Sequence, residues 1–448
     1  MGLRLYDTRG RAVRDFTSRI PGMASIYLCG PTVVVPPHIG QIRSQVNFDV
    51  LHRWLRHSGY RVLFCRNVTD IEDKIIGRSL SEGIQWWRVA DPVYRSFDRA
   101  YAALGCLPPS VEPRATGHIP EMIELVEQLL AAGHAYESDG SVYFDVASFP
   151  DYGALSRRRA DNIRTTEENE RGKRDPRDFA LWKRAKPGEP VWHAPWGDGR
   201  PGWHLECSAM ARKYLGHEFD IHGGGANLVF PHHENELAQS RAAGDSFARF
   251  WVHNGPVTHR GEKIRKRARN PLAVHTLLDR VRPMELRYYL CAAHYRSPME
   301  FSPEAVDEAA TAYRRMERFV LRVGAGVAAE LPAQFSDAMD ADLNLPRALS
   351  VVHATVAEGH AALNSGEQET AARKCRSVRA MLNVLGLDPL ADDRPRETRL
   401  QEVARAVLRI ARNLAASEGD RERSLIMHRQ IDSALNNHRE SDLQVLTK

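Results

Sequence analysis

Residues 222–236, HGGGANLVFPHHENE, place imidazole and carboxylate side chains within one short stretch of the chain. A proline can occupy the first turn of a helix, and a helix that begins there puts His232 and Glu236 on one face, at i and i+4. His233 and Glu234 would then point away from that face. This is metal-ligand spacing, related to the HExxH arrangement with Glu replacing the second histidine. An isolated pair of this kind, however, more often marks a polar helix start at the surface.

Two distant cysteines strengthen the metal interpretation. Cys29 ends a predicted strand in SIYLCGPTV, at the edge where α/β sheets bind ligands, and Cys207 lies in GWHLECSAM at a predicted helix start. Two thiolates, an imidazole and a carboxylate are a reasonable ligand set for Zn²⁺. The remaining cysteines form no CxxC pair, so we expect free, buried thiols and no disulfide framework.

Two further stretches could handle phosphates. In PPHIGQ, residues 36–41, a histidine and a glycine precede a predicted helix, whose N-terminus favours phosphate groups. In EKIRKRARN, residues 262–270, lysine and arginine dominate. Alone, this basic run is compatible with a nucleic-acid patch, a targeting signal, a solvated loop or a phosphate-binding loop.

The elements around these residues indicate an α/β protein. The strand in SIYLCGPTV, the helix in VNFDVLHRWLRHSGY and the strand in YRVLFCRNVTD form a predicted βαβ unit, which implies a parallel sheet with its ligand site at the carboxyl ends of the strands. From about residue 116 to 195, a helix and a polar tract with little periodicity indicate an inserted subdomain. After about residue 303 the apolar positions follow a helical period, which predicts a helical bundle.

The composition is that of a globular protein of several domains. The chain has 448 residues, of which 43% are hydrophobic and 27% charged, and its formal net charge is +5. Because no apolar run approaches the ~20 residues needed to span a bilayer, we expect no membrane segment. The charged start MGLRLYDTRGRAVRDF predicts a cytoplasmic protein without a signal peptide.

These pieces occur in a characteristic order: CGPTV–HIG, RNVTDIEDKI, EPRATGHI, GRPGWHLECSAM, FDIHGGGANLVFPHHENELAQS and AMDADLNLPRALSVV. From about residue 3 to 390 this order resembles the cysteinyl-tRNA synthetase family, which belongs to the class I aminoacyl-tRNA synthetases. The resemblance implies an α/β fold with a Rossmann-like nucleotide-binding parallel sheet, an inserted subdomain and an all-helical C-terminal domain. The implied divisions are 1–115 (first half of the Rossmann catalytic domain), 116–195 (inserted connective subdomain), 196–245 (second half, with a zinc site), 246–302 (KMSKS loop and stem-contact region), 303–390 (helical bundle) and 391–448 (divergent helical region similar to an anticodon-binding domain).

The resemblance also implies an activity. Family members use ATP with Mg²⁺ to convert L-cysteine into cysteinyl-adenylate and then transfer the cysteinyl group to tRNA(Cys). One Zn²⁺ per chain binds the thiolate of the substrate cysteine, which separates cysteine from serine by ligand chemistry. The implied metal ligands are Cys29, Cys207, His232 and Glu236. The implied cysteine-binding residues are Thr32, Thr69, Trp203 and His222.

This chain departs from the family at both ATP motifs. HIGH becomes HIGQ and KMSKS becomes KIRKR. Gln41 donates only neutral hydrogen bonds, and Arg265 and Arg267 are bulkier than the serines they replace. The residues that we expect to bind ATP and to act in catalysis are His38, Gln41, Lys263 and Lys266, with Gly40 as a further ATP contact.

Two other functions stay open on the sequence. A related ligase could deliver activated cysteine to a small amine, as the mycothiol-pathway enzyme does. A catalytically weakened paralogue could instead bind cysteine, zinc or RNA in a regulatory or resistance role. The final stretch ALNNHRESDLQVLTK has no counterpart of the family's tryptophan-containing closing segment. We expect a monomer.

Overall fold

The fold is taken from a computed structural model, which describes residues 2–158, 172–264, 272–324 and 329–391. In chain order its strands are β1 (Arg4–Asp7), β2 (Ala12–Asp15), β3 (Met23–Leu28), β4 (Arg61–Arg66), β5 (Ala135–Ser138), β6 (Ser141–Phe144), β7 (Phe179–Arg184), β8 (Gly199–Pro201), β9 (Glu218–Gly225), β10 (Phe247–Asn254), β11 (Val257–His259), β12 (Glu262–Lys263) and β13 (Met299–Glu300). Its helices are α1 (Ile39–His57), α2 (Asp73–Glu82), α3 (Trp86–Ala103), α4 (Ile119–Ala131), α5 (Trp203–Leu215), α6 (Glu234–Ala242), α7 (Val274–Leu278), α8 (Pro283–Cys291), α9 (Pro303–Val323), α10 (Ala333–Asp340), α11 (Leu345–Asn364) and α12 (Gln368–Val384).

The central sheet is parallel, with strand order β10-β9-β3-β4. Its strands are mostly buried on both faces, as expected for a parallel sheet covered by helices. Helix α1 packs so closely on β9 that a Cβ atom at Gly223 would lie 2.2 Å from the ring of Phe48. Because the strands are parallel, their carboxyl ends meet at one edge, and the residues that follow them lie there together.

Helix α1 starts seven residues earlier than the periodic stretch from which it was predicted. His38 is its N-cap: the imidazole Nδ1 accepts from the backbone N–H of Gly40 at 3.2 Å. Gln41 completes the capping box, because its Oε1 accepts from the backbone N–H of His38 at 3.1 Å. The residues of HIGQ therefore form the start of α1, the helix that follows β3 in the βαβ unit.

In the order of the chain, a second sheet comes between strands β3 and β4 and strands β9 and β10 of the parallel sheet. Its strands are antiparallel, in the order β5-β6-β7-β8, and α4 precedes them. The buried carboxylate of Asp178 holds its loops, accepting from the Tyr136 hydroxyl at 2.6 Å and the Val146 N–H at 3.0 Å. This is the inserted subdomain in an α/β fold that the sequence predicted.

Beyond β13 the described chain is helical. Helix α9 buries Val306, Tyr313, Met316 and Val320 along one stripe, and α11 and α12 pack on each other and on α9. The predicted helical C-terminal part is confirmed as far as residue 391, while the predictions for 392–448 concern residues outside the described ranges. Each described helix is too short or too polar to cross a membrane.

Candidate active site

A cavity of about 700 Å³ opens at the carboxyl edge of the parallel sheet. The end of β3, the N-terminus of α1, the start of α5 and the chain after β10 all contribute to its walls. Of the predicted site residues, the lining includes Cys29, Thr32, His38, Gly40, Gln41, Thr69, Trp203, Cys207 and His232. One cavity thus brings together residues predicted separately for metal, cysteine and ATP.

The predicted metal ligands converge on one wall of this cavity. The Sγ atom of Cys29 lies 3.7 Å from the Sγ of Cys207 and 3.5 Å from Oε1 of Glu236. Nε2 of His232 lies 3.6 Å from the Cys207 Sγ and 3.1 Å from Oε1 of Glu236. All these ligand atoms lie within 4.8 Å of one another, although Cys29 and Cys207 are 178 positions apart in sequence.

These distances fit a tetrahedral zinc ion. Bonds of about 2.3 Å to sulfur and about 2.0–2.1 Å to nitrogen require edges of roughly 3.8 Å between two sulfurs and roughly 3.5 Å between sulfur and nitrogen. Burial, followed by the neighbouring Cys207 thiol and the Glu236 carboxylate, raises the pKa of Cys29 well above its usual value. Burial lowers the pKa of His232, which keeps the imidazole neutral and able to bind a metal. A divalent cation would offset the burial of these acidic groups.

The local structure around the histidines differs from the prediction. Helix α6 begins at Glu234, because residues 229–233 form a separate turn with extended backbone at Phe230. Glu234 does point away from the cavity, accepting backbone N–H groups of the 153–156 segment. The prediction for His233 is wrong: its Nε2 lies 3.3 Å from the Sγ of Cys29.

A second ligand set overlaps the first. Cys29, His222, His233 and Glu236 also bring one ligand atom each within 4.8 Å of the others. Among the described residues that line the cavity, however, neither His222 nor His233 occurs, whereas Cys207 and His232 do. Nε2 of His222 lies 2.7 Å from Oε2 of Glu236, the oxygen that does not face His232. The cavity-side set is therefore the better metal site, and His222 stands behind one of its ligands.

The predicted cysteine-binding residues surround this site on different sides. The Trp203 ring stacks on His232, with ring centroids 4.0 Å apart. Thr32 and Thr69 pair across an isolated parallel bridge, and Oγ1 of Thr69 accepts from Asn67 at 3.2 Å. His222 is fully buried, so the structure separates it from the other three.

The sequence analysis missed a chain of buried groups behind Cys29. Nδ1 of His233 lies 2.8 Å from Nε2 of His253, whose Nδ1 lies 2.8 Å from the hydroxyl of Thr8. The doubled histidine in FPHHENE was the available signal for His233. No local sequence pattern indicated His253 or Thr8, which lie in β10 and in the loop after β1.

The side of the cavity that we expect to bind ATP is formed by the start of α1 and by the chain from β10 to β12. His38 and Gln41 face it, with the capping contacts described above. The backbone of Lys263 pairs with Thr258 across β11 and β12. The Lys263 side chain and the whole of Lys266, with Arg265 and Arg267, are outside the described part of the chain.

Comparisons with known proteins define the class. A family model described as the class I (C) tRNA synthetase catalytic domain matches residues 16–311, and a DALR domain model matches residues 334–390. A Mycobacterium tuberculosis methionyl-tRNA synthetase, solved with methionyl-adenylate, is similar in structure with a TM-score of 0.59 at 15% identity, over 85% of this chain and 93% of that one. A putative Campylobacter jejuni arginyl-tRNA synthetase gives 0.54 at 13% identity, over 82% and 93%. The fold and the matched catalytic domain are those of a class I aminoacyl-tRNA synthetase.

Sequence relatives narrow the class to one family. The cysteine–tRNA ligase of Streptomyces avermitilis is 57% identical over 397 residues, covering 87% of this chain and 85% of that protein. The cysteine–tRNA ligase of Streptomyces coelicolor is 56% identical over 395 residues, covering 87% of this chain and 64% of that longer protein. The chain belongs to the cysteine–tRNA ligase family, and the predicted resemblance is confirmed.

Proposed function

We propose that this chain activates L-cysteine with ATP to form cysteinyl-adenylate and pyrophosphate, and then transfers the cysteinyl group to tRNA(Cys). One observation carries the proposal: Cys29, Cys207, His232 and Glu236 meet at a cavity that the capped start of α1 also lines. A thiol bound at these four residues and phosphates at the start of α1 would place the cysteine carboxylate between them, where it can attack the α-phosphate.

On the metal side, the chain supplies both ligands and their support. Bound by these four residues, Zn²⁺ would bind the substrate thiolate and discriminate against the harder hydroxyl of serine. Trp203 fixes the ring plane of His232 by stacking. His222 fixes the Glu236 carboxylate through the contact at Oε2, so we assign it an orienting role in place of direct contact with cysteine.

On the nucleotide side, backbone and side chains act together. The N-terminus of α1 lines the cavity, and its helix dipole favours phosphate groups there. Its first N–H groups already have partners, since that of Ile39 donates to the carbonyl of Leu272 at 3.0 Å and that of Gly40 to Nδ1 of His38 at 3.2 Å. Because Oε1 of Gln41 accepts from the His38 N–H, its amide NH₂ is the group left to donate to a phosphate or ribose oxygen. We expect Lys263 and Lys266 to add positive charge, and Mg²⁺ would accompany the triphosphate.

Two observations bear on the alternatives. The match of residues 334–390 to a DALR domain, in a chain similar to tRNA ligases over most of its length, supports tRNA as the acceptor over a small amine. Gln41 supports a weakened enzyme, because a neutral amide stabilises developing phosphate charge less than a cation does. Cytoplasmic location and a monomeric state stay predictions.

The deciding experiment is cysteine-dependent exchange of pyrophosphate into ATP by the zinc-loaded protein, followed by transfer to tRNA(Cys). Exchange followed by aminoacylation is the expected result. Exchange with transfer to an amino sugar and none to tRNA would favour the small-amine ligase. Background exchange by a protein that holds stoichiometric zinc would refute both enzyme functions.

A further inference from the structure

Arg43 is a fully buried guanidinium two residues beyond Gln41 in α1. Its Nη1 donates to the carbonyl oxygens of Gly255 at 2.9 Å and Pro256 at 3.1 Å. Its Nη2 donates to those of His294 at 3.0 Å and Ser297 at 2.8 Å. One side chain therefore joins the helix of HIGQ to two segments that are far from it in sequence.

The first of these segments is a wall of the active-site cavity. Residues 254–257 all line the cavity and connect β10 to β11, which pairs with β12. The start of α1, with His38 and Gln41, lines the same cavity. Arg43 thus ties the helix N-terminus to the wall segment that packs beside it, and both line the cavity that we expect to hold the nucleotide.

The second segment supports this wall from behind. The backbone N–H of Gly255 donates to the carbonyl of Tyr295 at 2.8 Å, and that of Met299 donates to Pro256 at 2.9 Å. The approach is so close that a Cβ atom at Gly255 would lie 2.3 Å from the carbonyl oxygen of Ser297. The wall 254–257 and the turn 294–297 are consequently held together as one unit.

The turn 294–297 is also tied to the C-terminal helices. Asp342, in the loop between α10 and α11, accepts from the Tyr295 hydroxyl at 2.7 Å and from Nε of Arg296 at 2.8 Å. It also accepts from the backbone N–H of Tyr6 at 2.8 Å. Since Asp342 lies within the segment that matches the DALR domain, an unbroken set of contacts runs from that domain to α1.

The chemistry of this position requires arginine. No carboxylate of the described residues pairs with Arg43, and burial lowers its pKa to about 10. A buried cation without a counter-ion must be satisfied by hydrogen bonds, and only a planar fork of donors can reach carbonyls on both segments at once. A lysine could reach one segment but could not bridge both.

We propose that Arg43 is a positioning residue for ATP, which holds the wall 254–257 at the correct distance from the N-terminus of α1 and, through the turn 294–297, links that wall to Asp342 of the C-terminal helical part. The inference rests on the proposed function in that ATP is taken as the ligand of this half of the cavity.

The test uses the full-length, zinc-loaded protein with Arg43→Lys and Arg43→Met. Arg53→Lys is the matched control, because Arg53 lies on the same helix but pairs with Asp49, at 2.8 Å, away from the wall. We expect kcat/KM for ATP in the exchange reaction to fall roughly 10- to 100-fold in both Arg43 variants, since a displaced wall misplaces the nucleotide. The KM for cysteine, the zinc content and the control should stay unchanged. An unchanged KM and kcat for ATP in folded Arg43→Met would overturn the proposal, and so would an equal rise in KM for both substrates.

A second variant guards against misfolding. If Arg43→Met does not fold, Gly255→Ala displaces the same wall from the opposite side and should raise KM for ATP with KM for cysteine retained.

The link to Asp342 is tested by Asp342→Asn, which keeps the size of the side chain at a position with φ of 59° that asparagine tolerates. The effects of Arg43→Lys and Asp342→Asn on kcat/KM for ATP should be less than additive; additive effects would refute the link.

Calorimetric titration with ATP separates this inference from the proposed function. A wild-type protein that binds ATP but shows no exchange would contradict the proposed function alone. Equal ATP affinity in wild type and Arg43→Met would contradict the role of Arg43, whatever the exchange assay shows.

Discussion

The two walls of the active-site cavity solve the problem of buried charge in opposite ways. On the zinc wall, two thiols and a carboxylate lie within 4.8 Å of one another, and burial, followed by these neighbours, raises the pKa of Cys29. Along α1, whose start lines the other side of the cavity, buried cations already have their partners: Arg43 donates to backbone carbonyls, and Arg287 pairs with Asp49 farther along the helix. We propose that an ion from solution completes the first group of charges, whereas the second is complete within the chain.

This difference explains which positions of the site tolerate substitution. Replacing any ligand on the zinc wall leaves the others buried without their cation, and this chain retains every ligand type of the family. The residues that we expect to meet ATP project from the start of α1, and Asp49 anchors this helix at a point farther along the chain. Gln41 can therefore replace histidine there at a cost in rate, with the fold intact.

The largest effect should follow from removing one zinc ligand. We expect Cys207→Ala to lose zinc and selectivity for cysteine over serine together, leaving about the 10- to 200-fold discrimination that a pocket without metal offers. Zinc content by mass spectrometry and exchange with both amino acids measure this. Cys375→Ala, a buried free cysteine in α12, is the control and should change neither. Retained selectivity in Cys207→Ala would remove the metal from the explanation of specificity.

The next effect concerns the packing of α1. Asp49 is buried and accepts from Arg287, Arg53 and the Leu107 N–H. Asp49→Asn should lower the free energy of unfolding by about 3–5 kcal/mol, because Arg287 would stay buried without a counter-ion. Asp91→Asn, at a half-exposed i, i+4 pair with Arg95, should cost below about 1 kcal/mol in the same denaturant titration. Similar losses in the two variants would contradict the contrast.

The same carboxylate predicts a pH dependence. Burial alone would raise the pKa of Asp49, but Arg287 and Arg53 outweigh burial and lower it. A carboxyl with a depressed pKa in the folded state stabilises the protein above its ordinary pKa of about 3.9, and this stabilisation is lost as the pH falls through the folded-state value. Below about pH 4, wild type should therefore lose more stability per pH unit than Asp49→Asn. Parallel curves for the two proteins would contradict the assignment.

A smaller effect should follow from removing the support of a ligand. His222→Leu deletes the contact with Oε2 of Glu236 and should weaken zinc binding roughly 10- to 100-fold, as second-shell changes commonly do. Competition with a chelator gives the affinity, and the exposed His193→Leu serves as control. If His222 contacted cysteine instead, zinc affinity would be unchanged and only the KM for cysteine would rise.

The smallest effect concerns Gln41. A charge-assisted hydrogen bond is about twice as strong as a neutral one of ~1 kcal/mol, so Gln41→His should speed exchange about fivefold where the imidazole is protonated. Gln41→Glu keeps the shape and the capping acceptor but removes the donor, and should slow exchange below wild type. Equal rates in all three proteins would show that this side chain does not meet the phosphates.

Local chemistry was predictable from the sequence because neighbours along a helix or strand follow from its period alone. The i, i+4 relation placed His232 and Glu236 together, and the pair lies 3.1 Å apart even though α6 begins later than predicted. The βαβ pattern predicted a parallel sheet with its site at the carboxyl edge. The place of Cys29 at a strand end and of Cys207 at a helix start suggested both as further ligands, and the family resemblance then implied them, although no spacing rule could have paired them.

Only the tertiary structure decided which distant side chains face each other and which face the cavity. Cys29 and Cys207 meet because Cys29 follows β3 and α5, which carries Cys207, packs on β3 and β4. His233 points toward Cys29 because the chain turns before α6, and His222 stands behind Glu236 because β9 carries it beneath the site. No pattern in the sequence distinguishes Arg43 from other charged residues, and only the packing shows that carbonyl oxygens surround it. Residue type and period are properties of the chain, but direction and burial depend on what the rest of the fold places opposite.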